Sequence, residues 1–189
     1  VIKSYWDLPS QRLEVQEISF DAAVKRYREI FFNAVDIRLR ADVKVAFELS
    51  GGLDSSSIVA AAAELRKNKI ITYTAKIFGA DEEPIARMML KRYPVDFRVI
   101  ESVEDHFAQD CETFNSVMEE PYDNPNAYTH HQMLRIMRHD DVRVVVTGAG
   151  GDEVFAGYES SFWPKAYQEL RTKGGGSFWQ ADVYEFCRR

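Results

Sequence analysis

The sequence predicts an α/β fold, a mostly parallel sheet flanked by helices, and three observations predict it. Between residues 43 and 147, short runs rich in β-branched and aromatic residues alternate with longer stretches of helical patterning, the order that a parallel sheet with covering helices produces. The first of those runs ends abruptly in Ser50-Gly51-Gly52, and Asp54-Ser55-Ser56-Ser57 then opens an alanine-rich helix. The last runs into a second glycine-rich stretch, residues 148–157. Open parallel sheets bind ligands beyond the carboxyl ends of their strands, so both loops are expected on one edge of the molecule.

Each element has a local reason. Residues 1–18 read as an extended lead-in, because Pro9 opposes an early helix. Ser19 is placed as the N-cap of a helix running to about residue 39, with Val24, Tyr27, Ile30, Phe31, Ala34 and Val35 as its apolar stripe. Residues 43–49 form the first strand and 55–67 the helix after the loop. Residues 70–78, β-branched and aromatic, form the second strand. A helix over 83–93 meets Pro94, which ends it. A third strand covers 96–100 and a helix 104–118, and the stretch 119–126, with two prolines, is irregular. Residues 127–139 are helical and 143–147 form the fourth strand. Beyond the 148–157 loop the expectation is helix, broken at Gly174-Gly175-Gly176, a run that fits a native glycine loop or an artificial linker.

At 189 residues the chain is long enough for one domain with a real core. With 46% hydrophobic and 29% charged residues, it has the make-up of a soluble globular protein. Its longest apolar runs, such as 59–63 and 144–146, are too short to span a bilayer, and residues 1–7 contain no apolar signal-peptide region. A net charge of −6 gives no basic footprint for nucleic acid. Cys111 and Cys187 lie far apart without metal or redox spacing, which fits reduced thiols in a cytoplasmic protein. The first residue is Val1 rather than methionine, so a piece of a longer protein is expected.

The chemistry concentrates in the Ser50 loop. A strand that turns through Ser-Gly-Gly into a helix presents N–H groups and hydroxyls at the positive end of the helix dipole. That is an anion site, and phosphate is the natural anion. The glycines let the main chain approach the anion where a Cβ would collide. Asp54 would repel a bare phosphate; it fits if a divalent cation lies between its carboxylate and the phosphates. A lone Gly-Gly is usually only a tight turn. Ser50, Asp54 and Ser55 in register, with a second polar glycine loop downstream, favour a nucleotide enzyme.

Ser50-Gly51-Gly52-Leu53-Asp54-Ser55 resembles the pyrophosphate loop of the N-type ATP pyrophosphatases, a superfamily that includes asparagine, GMP, NAD and argininosuccinate synthetases. Two further stretches narrow the resemblance. Tyr5-Trp6-Asp7-Leu8 is similar to the opening of the synthetase domain of glutamine-dependent asparagine synthetases. Thr147-Gly148-Ala149-Gly150-Gly151-Asp152-Glu153-Val154-Phe155-Ala156-Gly157-Tyr158 resembles their second signature, and Asp81-Glu82-Glu83-Pro84-Ile85-Ala86-Arg87 is a weaker match. The resemblance implies an adenine nucleotide α hydrolase-like (PP-loop) three-layer sandwich over residues 19–160, with 161–189 beginning a helical C-terminal part. It implies that Ser50, Gly51, Gly52, Asp54, Ser55 and Ser56 hold the β- and γ-phosphates of ATP. Leu49 falls where the family's backbone meets the adenosine, Ala75 and Lys76 on the adenine side, and Thr147 and Gly148 at the AMP half. Asp54 and Asp152 are the implied Mg²⁺ ligands and catalytic carboxylates. The implied reaction is attack of a carboxylate on the α-phosphorus, loss of pyrophosphate, and amide formation from the acyl-adenylate with release of AMP. Such catalysis is mostly positioning and electrostatics.

Three departures from the family pattern shape the expected function. Ala149 replaces the usual acidic residue on the substrate and amine side, which points away from aspartate and ammonia. A β-lactam synthetase-like or peptide-maturation cyclase or ligase is the alternative. The family's N-terminal glutaminase domain, with its cysteine nucleophile, is not in the sequence, so a glutaminase domain or subunit is an expected partner, as is a second copy of the chain. The later part of the family, with its catalytic lysine, is also not in the sequence. That leaves a non-catalytic nucleotide-binding fragment as a third reading. The remaining partners implied are ATP, a carboxylate and an amine, with no nucleic acid and no membrane.

Other residues have plainer readings. Glu153 is either a helix cap or a support behind Asp152, and Glu82-Glu83 and Glu119-Glu120 are solvated faces. His130 and His131 are adjacent on a helix and so face different directions, which favours a solvated or capping role over a metal pair. Phe162-Trp163 and Phe178-Trp179 read as core or interface rather than a nucleobase platform, and Tyr122, Asn124 and Asn126 are placed on the substrate side. Lys76 either reaches phosphate or snorkels to solvent.

Overall fold

The structure, a computed structural model, describes residues 2–7, 13, 16–66, 69–77, 80–101, 106–120, 126–155 and 157–158. Helix α1 (Phe20–Arg38) starts where expected, because the Ser19 hydroxyl accepts the Ala22 N–H at 3.3 Å and caps it. There follow β1 (Lys44–Glu48), α2 (Leu53–Leu65), β2 (Ile70–Ile77), β3 (Ala80–Asp81), α3 (Glu83–Leu90), β4 (Val95–Glu101), α4 (Phe107–Met118), α5 (Asn126–His139), β5 (Val142–Val146) and α6 (Gly151–Phe155).

The differences from the sequence expectation are local. Helix α2 begins at Leu53 rather than 55, because the extended Gly52 is its N-cap; Asp54 therefore lies in the first turn, where the dipole favours a carboxylate. Helix α3 stops at Leu90 rather than 93, and the N–H groups of Lys91, Arg92 and Tyr93 close a final turn on Met88 and Met89. Strand β3 was not anticipated, since two residues carry no periodicity; it runs antiparallel to β2, with Lys76 opposite Asp81 and Ile77 opposite Ala80. The stretch expected as a continuous loop over 148–157 contains the five-residue α6. Tyr122, Asn124, Gly174-Gly175-Gly176, Cys187, both Phe-Trp pairs and all of 161–189 lie outside the described residues.

The four longer strands are all parallel and lie in the order β4-β2-β1-β5. The chain lays β1 first, moves outward through β2 and β4, then returns to place β5 on the other side of β1. The strand order therefore reverses between β1 and β5, and the crevice beyond their carboxyl ends is the switch point at which such sheets bind ligands.

Strand alternation builds the two sides of the sheet. Phe47, 1% exposed, belongs with Val45 to the cluster that includes Val35 and Leu39 at the end of α1, Val59, Ala61 and Ala62 of α2, and Ala86 of α3. The intervening Ala46 packs instead with Tyr73, Ile100, Met133, Met137 and Val142, the cluster under α5. Full burial of a side chain such as Phe47 contributes about 1.5–3 kcal/mol. Helix α4 docks on α5 through Tyr128, whose ring meets Phe107 and Phe114 edge-on at 5.0 and 5.5 Å and whose hydroxyl donates to Asp110 at 2.8 Å. The far end of α5 is tied to the sheet by polar contacts: the Tyr73 hydroxyl donates to Asp140 at 2.6 Å, and Arg98 donates to that hydroxyl at 3.0 Å, to Asp140, and to Asp96 at 3.0 Å. Cys111 is a free, half-buried thiol. Among the described residues no helix is long and apolar enough to cross a membrane.

Candidate functional site

The site begins at the end of β1. Leu49 is fully buried, its N–H donating to the Tyr73 carbonyl at 2.8 Å and its carbonyl accepting from the Thr74 hydroxyl at 2.5 Å. From this fixed point the chain turns through Gly51, whose φ of +82° lies in the left-handed region. A Cβ there would also come within 3.0 Å of the Ile85 Cβ and 3.1 Å of the Ala86 nitrogen, so the turn needs glycine on both counts.

The loop's serines brace it from inside. The two hydroxyls of Ser50 and Ser55 lie 2.9 Å apart, Ser50 N–H donates to the Ser55 Oγ at 3.2 Å, and Gly52 N–H donates to the Ser50 Oγ at 3.3 Å. Gly52 offers no side chain to cap α2. The first N–H groups of the helix, which have no intrahelical acceptor, are therefore open to an anion.

The second loop follows β5 and locks against the first. Ala149 N–H donates to Thr147 Oγ1 at 3.2 Å, and Gly151 N–H to the Gly148 carbonyl at 3.2 Å. A Cβ on Gly148 would lie 2.9 Å from the Ser55 nitrogen, and one on Gly151 only 2.3 Å from Asp54 Oδ2. The Asp54 carboxylate thus occupies space that only a glycine at 151 leaves open.

An open cleft of about 720 Å³ lies between the loops. Ser50, Gly52, Asp54 and Ser55 line one side and Thr147, Gly148, Ala149, Gly151 and Asp152 the other, joined by Glu48 and His130. Seven expected site residues share it: Ser50, Gly52, Asp54, Ser55, Thr147, Gly148 and Asp152. The other five do not line it. Leu49 is buried, Gly51 faces α3, Ser56 lies half-buried in α2, and Ala75 and Lys76 lie half-buried at the end of β2, where Lys76 is in register with Asp81 and Glu101.

Glu48 and His130 were not expected here. His130 Nε2 of α5 approaches Glu48 Oε1 of β1 at 2.8 Å, with the Glu48 side chain 20% and the His130 side chain 48% exposed. The N–H is not aimed squarely at the oxygen, so Oε1 lacks a well-formed hydrogen bond, and the contact becomes an ion pair when the imidazole is protonated. The contact with Glu48 raises the His130 pKa, and burial only partly opposes it. The two histidines do face different ways. His131 packs at 5.3 Å from the Phe114 ring toward α4, and burial, then Arg135, lowers its pKa. The available signal was Glu48 itself, a carboxylate ending an otherwise mostly apolar strand.

Among the described residues no three His, Cys, Asp or Glu side chains cluster closely enough to hold a metal on their own. The donor set in the cleft, Asp54 and Asp152, instead suits magnesium, which binds through one or two carboxylates and takes its other ligands from water and phosphates.

Fold and site together define a parallel α/β domain with a glycine-rich strand-to-helix loop at its switch point. The asparagine synthase family model matches residues 26–180, and the chain belongs to that family. It is similar to amidase chyE of Penicillium rubens, at 33% identity over 175 residues covering 84% of this chain and 26% of that protein. It is also similar to a putative glutamine-hydrolysing asparagine synthetase of Methanocaldococcus jannaschii, at 29% identity over 156 residues covering 82% of this chain and 30% of that protein. The chain thus spans between a quarter and a third of the length of these relatives. The solved NH₃-dependent NAD synthetase from Campylobacter jejuni is similar at TM-score 0.48 and 12% identity, over 71% of this chain and 60% of that one.

Proposed function

We infer that the chain is the ATP-binding part of an AMP-forming ligase that makes an amide bond through an acyl-adenylate. The observation that carries this reading is the juxtaposition of the Ser50 loop with Asp54 and Asp152 in one cleft at the switch point. The names of its relatives, asparagine synthetases and amidases, share amide chemistry. ATP would lie with its phosphates on Ser50, Gly52, Ser55 and the first turn of α2, and its AMP half toward Thr147 and Gly148. Gly51, Ser56, Leu49, Ala75 and Lys76 would support the loop and the nucleoside side. Asp54 and Asp152 would hold Mg²⁺, which when bound neutralises charge on the phosphates and the departing pyrophosphate. The chain's own work is to orient the triphosphate and to keep both carboxylates on the side of the leaving group.

Calorimetry of ATP binding with and without magnesium tests the reading. The Asp54→Ala variant is expected to lose affinity roughly tenfold to a hundredfold in magnesium, the size of one charged contact of about 1.5–3 kcal/mol. Undiminished binding by that variant would remove the metal-bridging role.

Ala149 favours a second form of the same reading. It lines the cleft with a methyl group where an acidic side chain would face the substrate, so the carboxylate activated would be something other than free aspartate, as in a β-lactam synthetase-like or peptide-maturing enzyme. A glutaminase partner, a second copy of the chain and a cytoplasmic site of action belong to this proposal.

A further inference from the structure

Amide formation has a proton to dispose of. When an amine nitrogen attacks the acyl carbonyl it acquires a fourth bond and a positive charge, and the neutral amide forms only when that nitrogen gives up a proton. A ligase therefore needs a base on the amine side of the acyl-adenylate.

The described lining of the cleft offers few candidates. Ser50, Ser55 and Thr147 carry hydroxyls, which bind protons too tightly to accept one near neutral pH, and Ala149 has no polar atom. Asp54 and Asp152 belong to the phosphate end. What remains is His130 with Glu48, and imidazole is the one side chain whose ordinary pKa lies near neutrality.

We propose that His130, oriented by Glu48, is the base that takes the proton from the attacking amine as the amide bond forms. This rests on the ligase reading above. The geometry suits the task. Nε2 lies 2.8 Å from Glu48 Oε1, which favours the neutral tautomer protonated there, so Nδ1 keeps its lone pair, and it has no partner among the described residues. Glu48 is mostly buried and stabilises the imidazolium that forms, as the buried carboxylate does in a hydrolase triad. His130 is half exposed, so it can return its proton to solvent. The step balances: the C–N bond forms from the nitrogen lone pair, the proton passes to Nδ1, and the C–O bond to AMP breaks with its electron pair leaving on the phosphate.

Among the described residues, the titratable groups that share the cleft with His130 are Glu48 from β1, Asp54 from α2 and Asp152 from α6. On α5 itself His131 packs toward Phe114, and Arg135 pairs with Asp110 of α4 at 3.5 Å. Glu48 is the group in contact, and it raises the His130 pKa.

The test uses the full-length protein with Mg-ATP and a panel of amino acids, N-substituted amino acids and peptides as carboxylates. Exchange of labelled pyrophosphate into ATP reads the first half of the reaction; amide formed from ammonia, or hydroxamate from hydroxylamine, reads the second. In His130→Gln, exchange should stay within about twofold while amide formation from ammonia falls by roughly a hundredfold or more. Hydroxylamine, whose addition product sheds its proton more readily, should recover most of the rate. In Glu48→Gln, measured at constant unprotonated ammonia, the rising limb of the pH profile should move to lower pH as His130 loses the partner that raises its pKa. An unchanged ammonia rate in His130→Gln, or equal loss of exchange and amide formation, would overturn the base assignment alone. An unmoved limb in Glu48→Gln would overturn the positioning role. Absence of exchange in the parent with every acid would overturn the ligase reading and this assignment with it.

Discussion

At the scale of single residues, the site depends on atoms that are missing. Gly151 leaves room for the Asp54 carboxylate, where a Cβ would stand 2.3 Å from Oδ2. The group in its way is the free end of a side chain, which can swing aside at little cost to the fold. Gly151→Ala should therefore melt within a degree or two of the parent yet bind Mg-ATP as weakly as Asp54→Ala. Thermal denaturation beside calorimetry checks this, and parental affinity in Gly151→Ala would mean that the Asp54 position is not set by that contact. The neighbouring Gly51 is different, because its left-handed φ of +82° and its contact with the Ala86 main chain leave nothing that can move cheaply.

At the scale of elements, β2, β4 and α5 are joined by one charged network, and its strength depends on pH. Asp140 is held below the ordinary carboxylate pKa, first by the Tyr73 hydroxyl and also by Arg98, while burial and Asp140 push the Tyr73 phenol up to about 12. A depressed carboxylate pKa contributes stability that is present above its unfolded value near 4 and lost as pH falls through the folded one. Tyr73→Phe removes the leading cause. It should cost roughly 1.5 kcal/mol near neutrality and flatten the loss of stability below about pH 4, as urea melts across that range would reveal. An acid limb as steep as the parent's would assign the shift to Arg98 instead.

Helix α5 also carries two opposed titrations one residue apart. His131 has a lowered pKa, so the stability it allows is present above the unfolded value near 6.5 and is lost as pH falls through the folded pKa. His130 has a raised pKa, so its contribution is complete below about 6.5 and is lost as pH rises through the folded value. From these two groups the parent should be most stable near pH 6.5, falling away on both sides. His131→Leu should become less stable as pH rises through the His130 pKa, and His130→Gln should become less stable as pH falls through that of His131. Slopes of the same sign in both variants would contradict the assigned directions.

At the scale of the whole molecule, the strand order places both loops at one crevice, with Ala149 on its rim. With Ala149 on that rim, pyrophosphate exchange in the full-length protein should be strongest with a carboxylate other than free aspartate, and Ala149→Glu should shift the preference. Exchange strongest with aspartate and unchanged in Ala149→Glu would make the methyl group neutral and restore the ordinary asparagine reading.

Local chemistry made much of this legible in the sequence. Ser19 marked a helix start, β-branched runs marked β1, β2, β4 and β5, and Ser50-Gly51-Gly52 followed by Asp54 marked the tight turn from β1 into α2, because caps, strand propensity and tight turns act over a few residues. The two-residue β3 and five-residue α6 were not legible, since neither is long enough to carry a period. Nor was the partnership of Glu48 with His130. Those residues are separated by most of the domain, and only the return of α5 across the sheet brings an unremarkable helical histidine to within 2.8 Å of the carboxylate that ends β1. The sequence by itself determined where the two glycine-rich loops follow their strands; the tertiary structure decided which side chains face one another across the crevice, because that depends on the order in which the strands are laid side by side.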